Sequence, residues 1–169
     1  MTQEVMTSTL TMRERAKPVL LTAGLVFAAD QLSKYWLIHG VGLDHRAPIR
    51  LCDNFALVMA WNKGVSFSMF AHSTEWMPWA LTLAAVLISL LLIRLALHTP
   101  KRWERVGYAM VVGGALGNAF DRARFGAVAD FFYAHIGNLG WPAFNVADMG
   151  ICCGVGILLL SMIRHQATA

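Results

Sequence analysis

The chain has 169 residues, room for one domain or one compact membrane bundle. Apolar residues make up 57% of it and charged residues only 14%, which leaves too little polar surface for a water-soluble globule. The formal charge of +4 comes without a basic run or stripe, which excludes a nucleic-acid partner; the hydrophobicity excludes disorder, and three cysteines, two of them adjacent, exclude a disulfide scaffold.

What remains is an integral membrane protein. Its first apolar run is Val19–Ile38, interrupted by Asp30 and Lys34. A basic flank and Ala28-Ala29 would also suit a cleaved signal peptide. The apolar character resumes in Tyr35-Trp36-Leu37-Ile38, however, and that suits a full span better. Next comes a loop, about 40–75. Within it Phe55–Trp61 is largely apolar, Asn62-Lys63-Gly64 signals a turn, and Val65–Met69 alternates apolar and polar. Together these predict a β-hairpin with one greasy face, Phe67 and Met69 included, for the bilayer surface or a substrate. Trp76–Ile93 is the clearest span, uncharged until Arg94. Val106–Phe120 is the third and stops at Asp121-Arg122. A second loop, about 123–142, carries Asp130. Ala143–Ile163 is the fourth run, with Asp148 as its only charge. Gly113 to Gly117 and Gly150 to Gly154 are spaced to let helices three and four approach closely.

With their flanks the spans run about 19–38, 76–97, 104–122 and 143–163 of a single domain, 1–169. The fold class is an all-α four-helix membrane bundle with a small β-hairpin outside the membrane. Arg13, Arg15, Lys17, Arg94, Lys101, Arg102, Arg105 and Arg164 fall on one side of it. Arg46, Arg50, Lys63 and Arg124 fall on the other, with Lys34 and Arg122 at span edges. The imbalance puts both termini in the cytoplasm and both loops outside.

A carboxylate in or beside a span is costly and needs a reason. Asp30 has Lys34 four residues on, the spacing of a structural ion pair. Asp121 adjoins Arg122 and follows Asn118 by three, which suits a polar cluster bracing the helices. Asp148 has no cation within a helical turn, and Asn145 precedes it by three. Asp130 sits in greasy company, Val128-Ala129-Asp130-Phe131-Phe132. Burial there would raise its pKa. The six histidines show no metal-ligand spacing, and there is no P-loop or Ser-centred elbow. Two carboxylates sharing a proton, without a metal, can act as acid and base on an amide, the chemistry of aspartic peptidases. The residues alone rank Asp148 first and leave Asp121 and Asp130 as alternatives for its partner. The rival function is a small proton-coupled transporter or channel subunit, with the acids as a relay spread through membrane depth.

Five segments together resemble the lipoprotein signal peptidases of bacteria (signal peptidase II, prolipoprotein signal peptidase). They are Asp30-Gln31-Leu32-Ser33-Lys34, Trp61 to Phe67, Gly113 to Arg122, Val128-Ala129-Asp130-Phe131 and Pro142 to Asp148. The resemblance covers nearly the whole chain. It implies a four-helix inner-membrane aspartic peptidase with an extracytoplasmic β-cradle, cutting prolipoproteins N-terminal to a diacylglyceryl-modified cysteine. It selects Asp130 and Asp148 as the dyad. Asn62, Asn118, Asp121, Arg122, Asn145, Asp30 and Lys34 match supporting polar positions. It implies no cofactor or metal, prolipoprotein and membrane lipid as partners, no nucleic acid, a monomer, and sensitivity to globomycin-type inhibitors.

Overall fold

The computed structural model describes residues 11–64, 76–137 and 139–166. Helix α1, Met12–Tyr35, starts seven residues before the expected span. Thr11 and Glu14 form a reciprocal cap: Glu14 N donates to Thr11 Oγ1 at 3.3 Å and Thr11 N donates to Glu14 Oε2 at 2.8 Å. The helix passes into a π-helical turn, Trp36–Val41, which ends at Gly42 in the left-handed region, φ 67°. Helix α2 spans Met77–His98, α3 spans Arg102–Phe125 and α4 spans Val146–Gln166. Helix α3 is central and packs against α1, α2 and α4.

Glycines permit that packing. A side chain at Gly114 would run into the Ala147 carbonyl of α4, and one at Gly117 into the Asp30 carboxylate of α1. The glycines of α3 therefore bring α1 as well as α4 against its C-terminal half, where the acids lie.

Among the described residues, α2 and the stretch Val146–Arg164 are long and apolar enough to cross a membrane, with mean hydropathies of 2.5 and 2.1. Leu83, Leu87, Leu90 and Leu91 of α2 are more than half exposed, the opposite of a soluble core helix. Helices α1 and α3 carry charges that lower their hydropathy, and three of those charges, Asp30, Lys34 and Asp121, are buried. At the other end, Arg15 reaches the Leu97 and His98 carbonyls, and Arg105 reaches those of Thr99 and Pro100. Cations from α1 and α3 thus close the C-terminus of α2.

Beside the helices stands a four-stranded antiparallel sheet rather than a hairpin alone. Strands β1 (Ile49–Cys52), β2 (Phe55–Asn62), β3 (Val128–Ile136) and β4 (Leu139–Gly140) lie in sequence order. The Phe55–Trp61 strand forms as expected, but its described partners are β1 and β3. The expected partner Val65–Met69, with Phe67, lies outside the described residues. Strand β3 was not foreseen in the second loop. Its Phe131 is fully buried and packs with Leu37 and Leu43, seating the sheet on the end of α1.

Candidate active site

The fourth helix opens on a cap written in the sequence as Asn145-x-x-Asp148. Asp148 N donates to Asn145 Oδ1 at 3.0 Å, and Asn145 N donates to Asp148 Oδ2 at 3.0 Å. This is a capping box with shorter side chains. It fixes the Asp148 carboxylate at the positive end of the α4 dipole. Its other oxygen accepts from Asn118 Nδ2 of α3 at 2.9 Å.

Asp130 comes from the sheet. In the β2–β3 register it lies opposite Ala60, so Asn62, two residues along, is its diagonal neighbour on the same face. Asn62 Nδ2 donates to Asp130 Oδ2 at 3.1 Å, and Asn145 Nδ2 donates to Asp130 Oδ1 at 2.7 Å. Asn145 therefore touches both acids, one through its backbone and the other through its amide. Asp130 and Asp148 line one cavity of about 470 Å³ with Asn62, Trp141, Phe144 and Met149. Burial first, and the neighbouring Asp148 charge after it, push the Asp130 carboxyl up to about 6 against the Asn62, Lys34 and Asn145 contacts that lower it.

Behind this pair lies a buried charged cluster. Lys34 Nζ is 2.7 Å from Asp30 Oδ2, 2.7 Å from Asp121 Oδ2 and 3.4 Å from Asn118 Oδ1. The Asp30–Lys34 pair thus forms with the i,i+4 spacing expected of it. Asp121, however, pairs with Lys34 rather than with its neighbour Arg122, which donates from Nη1 to the Asn118 carbonyl at 3.4 Å. The charges facing Arg122 are those of Asp130, Asp148 and Asp121. Sequence adjacency misleads here because consecutive helical residues point about 100° apart, whereas α1 crosses α3 close to Asp121.

The outer oxygens of the cluster serve the site. Asp30 Oδ1 accepts from Ala147 N at 2.9 Å, and Asp121 Oδ2 accepts from Ala129 N at 3.2 Å. Ala147 immediately precedes Asp148, and Ala129 immediately precedes Asp130. One buried lysine therefore anchors two carboxylates, each of which holds the backbone beside one candidate acid. Gln31 was missed as a participant. Its Nε2 lies 3.0 Å from both Asp30 Oδ2 and Asp121 Oδ1, and the only sequence signal was a polar amide within an apolar run. Trp141 and Phe144, which wall the cavity, were missed as well, because a loop offers no periodicity to read.

The fold recurs in known proteins. Two solved bacterial membrane enzyme structures share the fold: one with a TM-score of 0.77 at 20% identity, covering 90% of this chain and 91% of its own, the other with 0.75 at 22%, covering 88% and 94%. A lipoprotein signal peptidase of Methylocella silvestris is 40% identical over 142 residues, 82% of this chain and 81% of its own. Those of Azoarcus sp. and Vibrio parahaemolyticus are 38% and 35% identical, covering 87% and 95% of this chain and 83% and 96% of their own. The family model for signal peptidase II matches residues 22–164, a stretch that takes in α2, α3, most of α1 and α4, the described sheet and every residue of the buried polar network. On that match the chain belongs to the signal peptidase II family, which leaves the transporter reading without support.

Proposed function

We propose that this chain removes signal peptides from prolipoproteins as a membrane aspartic peptidase, with Asp130 and Asp148 as its dyad. It would cut on the N-terminal side of a diacylglyceryl-modified cysteine. The carrying observation is that two acids from separate elements, a strand and a helix N-terminus, meet at one cavity and share Asn145. Family membership supports the substrate class.

The surroundings of the two acids divide the labour. Asp148 sits at a helix N-terminus, where the dipole favours a negative charge, and serves as base. Asp130, whose pKa burial has raised, holds the proton. Asp148 takes a proton from water, the oxygen adds to the scissile carbonyl, and Asp130 gives its proton to the carbonyl oxygen. Proton return to the leaving amide nitrogen then breaks the C–N bond. The products are a signal peptide ending in a carboxylate and a lipoprotein with a free cysteine amine. Cleavage of a prolipoprotein by purified protein, with Asp130→Asn and Asp148→Asn beside the wild type, tests it: each variant should stay folded and lose turnover.

Two further outcomes follow from the dyad. Hydrolysis by paired carboxyls needs no cation, so cleavage of a purified prolipoprotein should persist in EDTA; loss in EDTA with recovery on adding zinc would sink the dyad. In addition, kcat/KM should decline as pH rises through about 6, because Asp130 must be protonated. The same raised pKa makes a linked stability contribution. It is fully present below the ordinary carboxylate range and lost as pH rises through about 6, since the folded state binds the proton more tightly. The drop in melting temperature between acidic and neutral pH should shrink in Asp130→Asn; an unchanged drop would place the titration elsewhere.

In this reading all four helices cross the inner membrane of the cell. Both termini face the cytoplasm, and the sheet and dyad face outward. The inward turning of Asp30, Lys34 and Asp121 supports α1 and α3 as spans despite their charges. A phosphatase-type reporter that matures only outside the cytoplasm should be active when inserted at Asp44–Arg50 and silent after Arg164. The reverse pattern would overturn the orientation. The enzyme is taken to act as a monomer and to bind globomycin-type inhibitors over the dyad.

A further inference from the structure

Another cavity lies away from the dyad. It holds about 650 Å³ at the opposite end of the molecule, between the start of α3 and the end of α4. Asp148 and Ser161, which lines this cavity, are 13 residues apart on α4, roughly 20 Å at the helical rise. Three cations line the cavity, Lys101, Arg102 and Arg164, beside the apolar Trp103, Ile157 and Leu160. Trp103 and Leu160 are 70% and 57% exposed.

The sequence explains why the helices open there. Gly107 and Gly154 put α3 and α4 in backbone contact: a side chain on either would meet the carbonyl of the other. One turn beyond, glycine gives way to Trp103 on one helix and to Ile157 and Leu160 on the other, and a wedge is left between them. Among the described residues, the acid beside this wall is already engaged. Glu104 accepts from Ser161 Oγ at 2.8 Å, bonds Thr99, and pairs with Lys101 at 3.2 Å. The wedge therefore keeps a positive surplus over an apolar wall.

We propose that this wedge binds an anionic phospholipid of the cytoplasmic leaflet, with its phosphodiester on the three cations and an acyl chain along Ile157 and Leu160. The leaflet assignment rests on the proposed topology. Guanidinium groups match phosphate oxygens in pairs, and an interfacial tryptophan beside basic residues suits the headgroup level. A zwitterionic lipid offers the same chain but its choline or ethanolamine cancels the charge that these residues complement. A soluble anion would gain nothing from the apolar wall.

The test uses the full chain in mild detergent with phosphatidylglycerol or phosphatidylcholine of matched chains, and reads retained lipid by native mass spectrometry. Wild-type protein should retain phosphatidylglycerol in preference. The triple variant Lys101→Gln, Arg102→Gln, Arg164→Gln should lose that preference by at least about fivefold, the effect of roughly one surface cation on anionic lipid. Leu160→Trp, which fills the wedge and keeps every charge, should lose retention too, so the result does not depend on the triple variant's folding. Millimolar inorganic phosphate should not displace the lipid. Equal retention of both lipids by the wild type, unchanged retention in Leu160→Trp, or displacement by phosphate would overturn the proposal. Cleavage by the same samples and the reporter fusions read the peptidase and topology proposals separately. A protein that cleaves but shows no lipid preference sinks only this inference, and one that holds the lipid but never cleaves sinks only the other.

Discussion

Asp130→Asn and Asp148→Asn should each lower prolipoprotein turnover by roughly 10³-fold or more while leaving a folded protein, the loss expected when a positioned acid or base is removed. The amide keeps the shape of the carboxyl but cannot exchange the proton. Each substitution also has a local cost, and the two differ. At Asp148 an amide can still accept from Asn145 N, so the cap survives. Its NH₂ would then face Asn118 Nδ2, and Asn118 cannot easily turn because Lys34 and Asn145 already use its oxygen. At Asp130 both oxygens accept from amide nitrogens, so one donor conflict arises with Asn62 or Asn145. Against that, the substitution removes an ionisable group that burial disfavours at neutral pH. Melting in detergent should therefore move little, by roughly 1 kcal/mol either way, the scale of one cap or hydrogen bond. The assay pairs cleavage with melting temperature. A folded variant that keeps a substantial share of wild-type turnover would remove that residue from the dyad.

The helices were legible where an apolar run marks them, α2 most plainly, which is uncharged from Trp76 to Ile93. The true start of α1 was also on the page, as Thr11-x-x-Glu14, a capping box that the search for apolar runs passes over. The sheet was harder. β2 read as a strand, but β3 is buried from Val128 to Phe131 and lacks the alternation that marks a half-exposed strand, so it read only as a greasy loop. β4, two residues long, leaves no sequence signal at all. Among the acids, the unpaired position of Asp148 singled it out. The roles of Asp121 and Asp130 could not be separated from residues alone because the deciding contact, Lys34 to Asp121, joins positions far apart in the chain. Neighbours in sequence suggested Arg122 instead. The family resemblance chose Asp130 without explaining the choice. The structure supplies a physical account: Asp121 is committed to Lys34, Gln31 and the Ala129 amide, whereas Asp130 opens on the cavity.

That commitment leads to a second large effect, at Lys34 rather than at the acid. The buried cluster holds one cation and two anions: side-chain exposure is 3% for Lys34, 0% for Asp30 and 1% for Asp121. Lys34→Met keeps the volume and apolar stem but leaves two carboxylates facing each other without their cation. Gln31 and the Ala147 and Ala129 amides still donate to them, which is too little for two buried charges. Breaking a buried pair from one side costs roughly 3–5 kcal/mol, and here both acids lose the same partner. Asp121→Asn differs in kind. It keeps the Lys34–Asp30 pair, leaves the cluster neutral, and gives up part of one contact, at about 1–2 kcal/mol. Sequence adjacency would put the damage in Asp121→Asn, through an orphaned Arg122. The structure reverses the order: Lys34→Met should lower melting temperature and folded yield far more than Asp121→Asn. Asp121→Asn should still slow turnover in folded enzyme, because the Ala129 amide that positions Asp130 loses its charged anchor. Lys34→Arg tests the charge separately, and should recover part of the stability that Lys34→Met loses. If Asp121→Asn proves as destabilising as Lys34→Met, the counter-charge for Asp121 is Arg122 after all, and the account of how α1 holds the two acids in place fails with it.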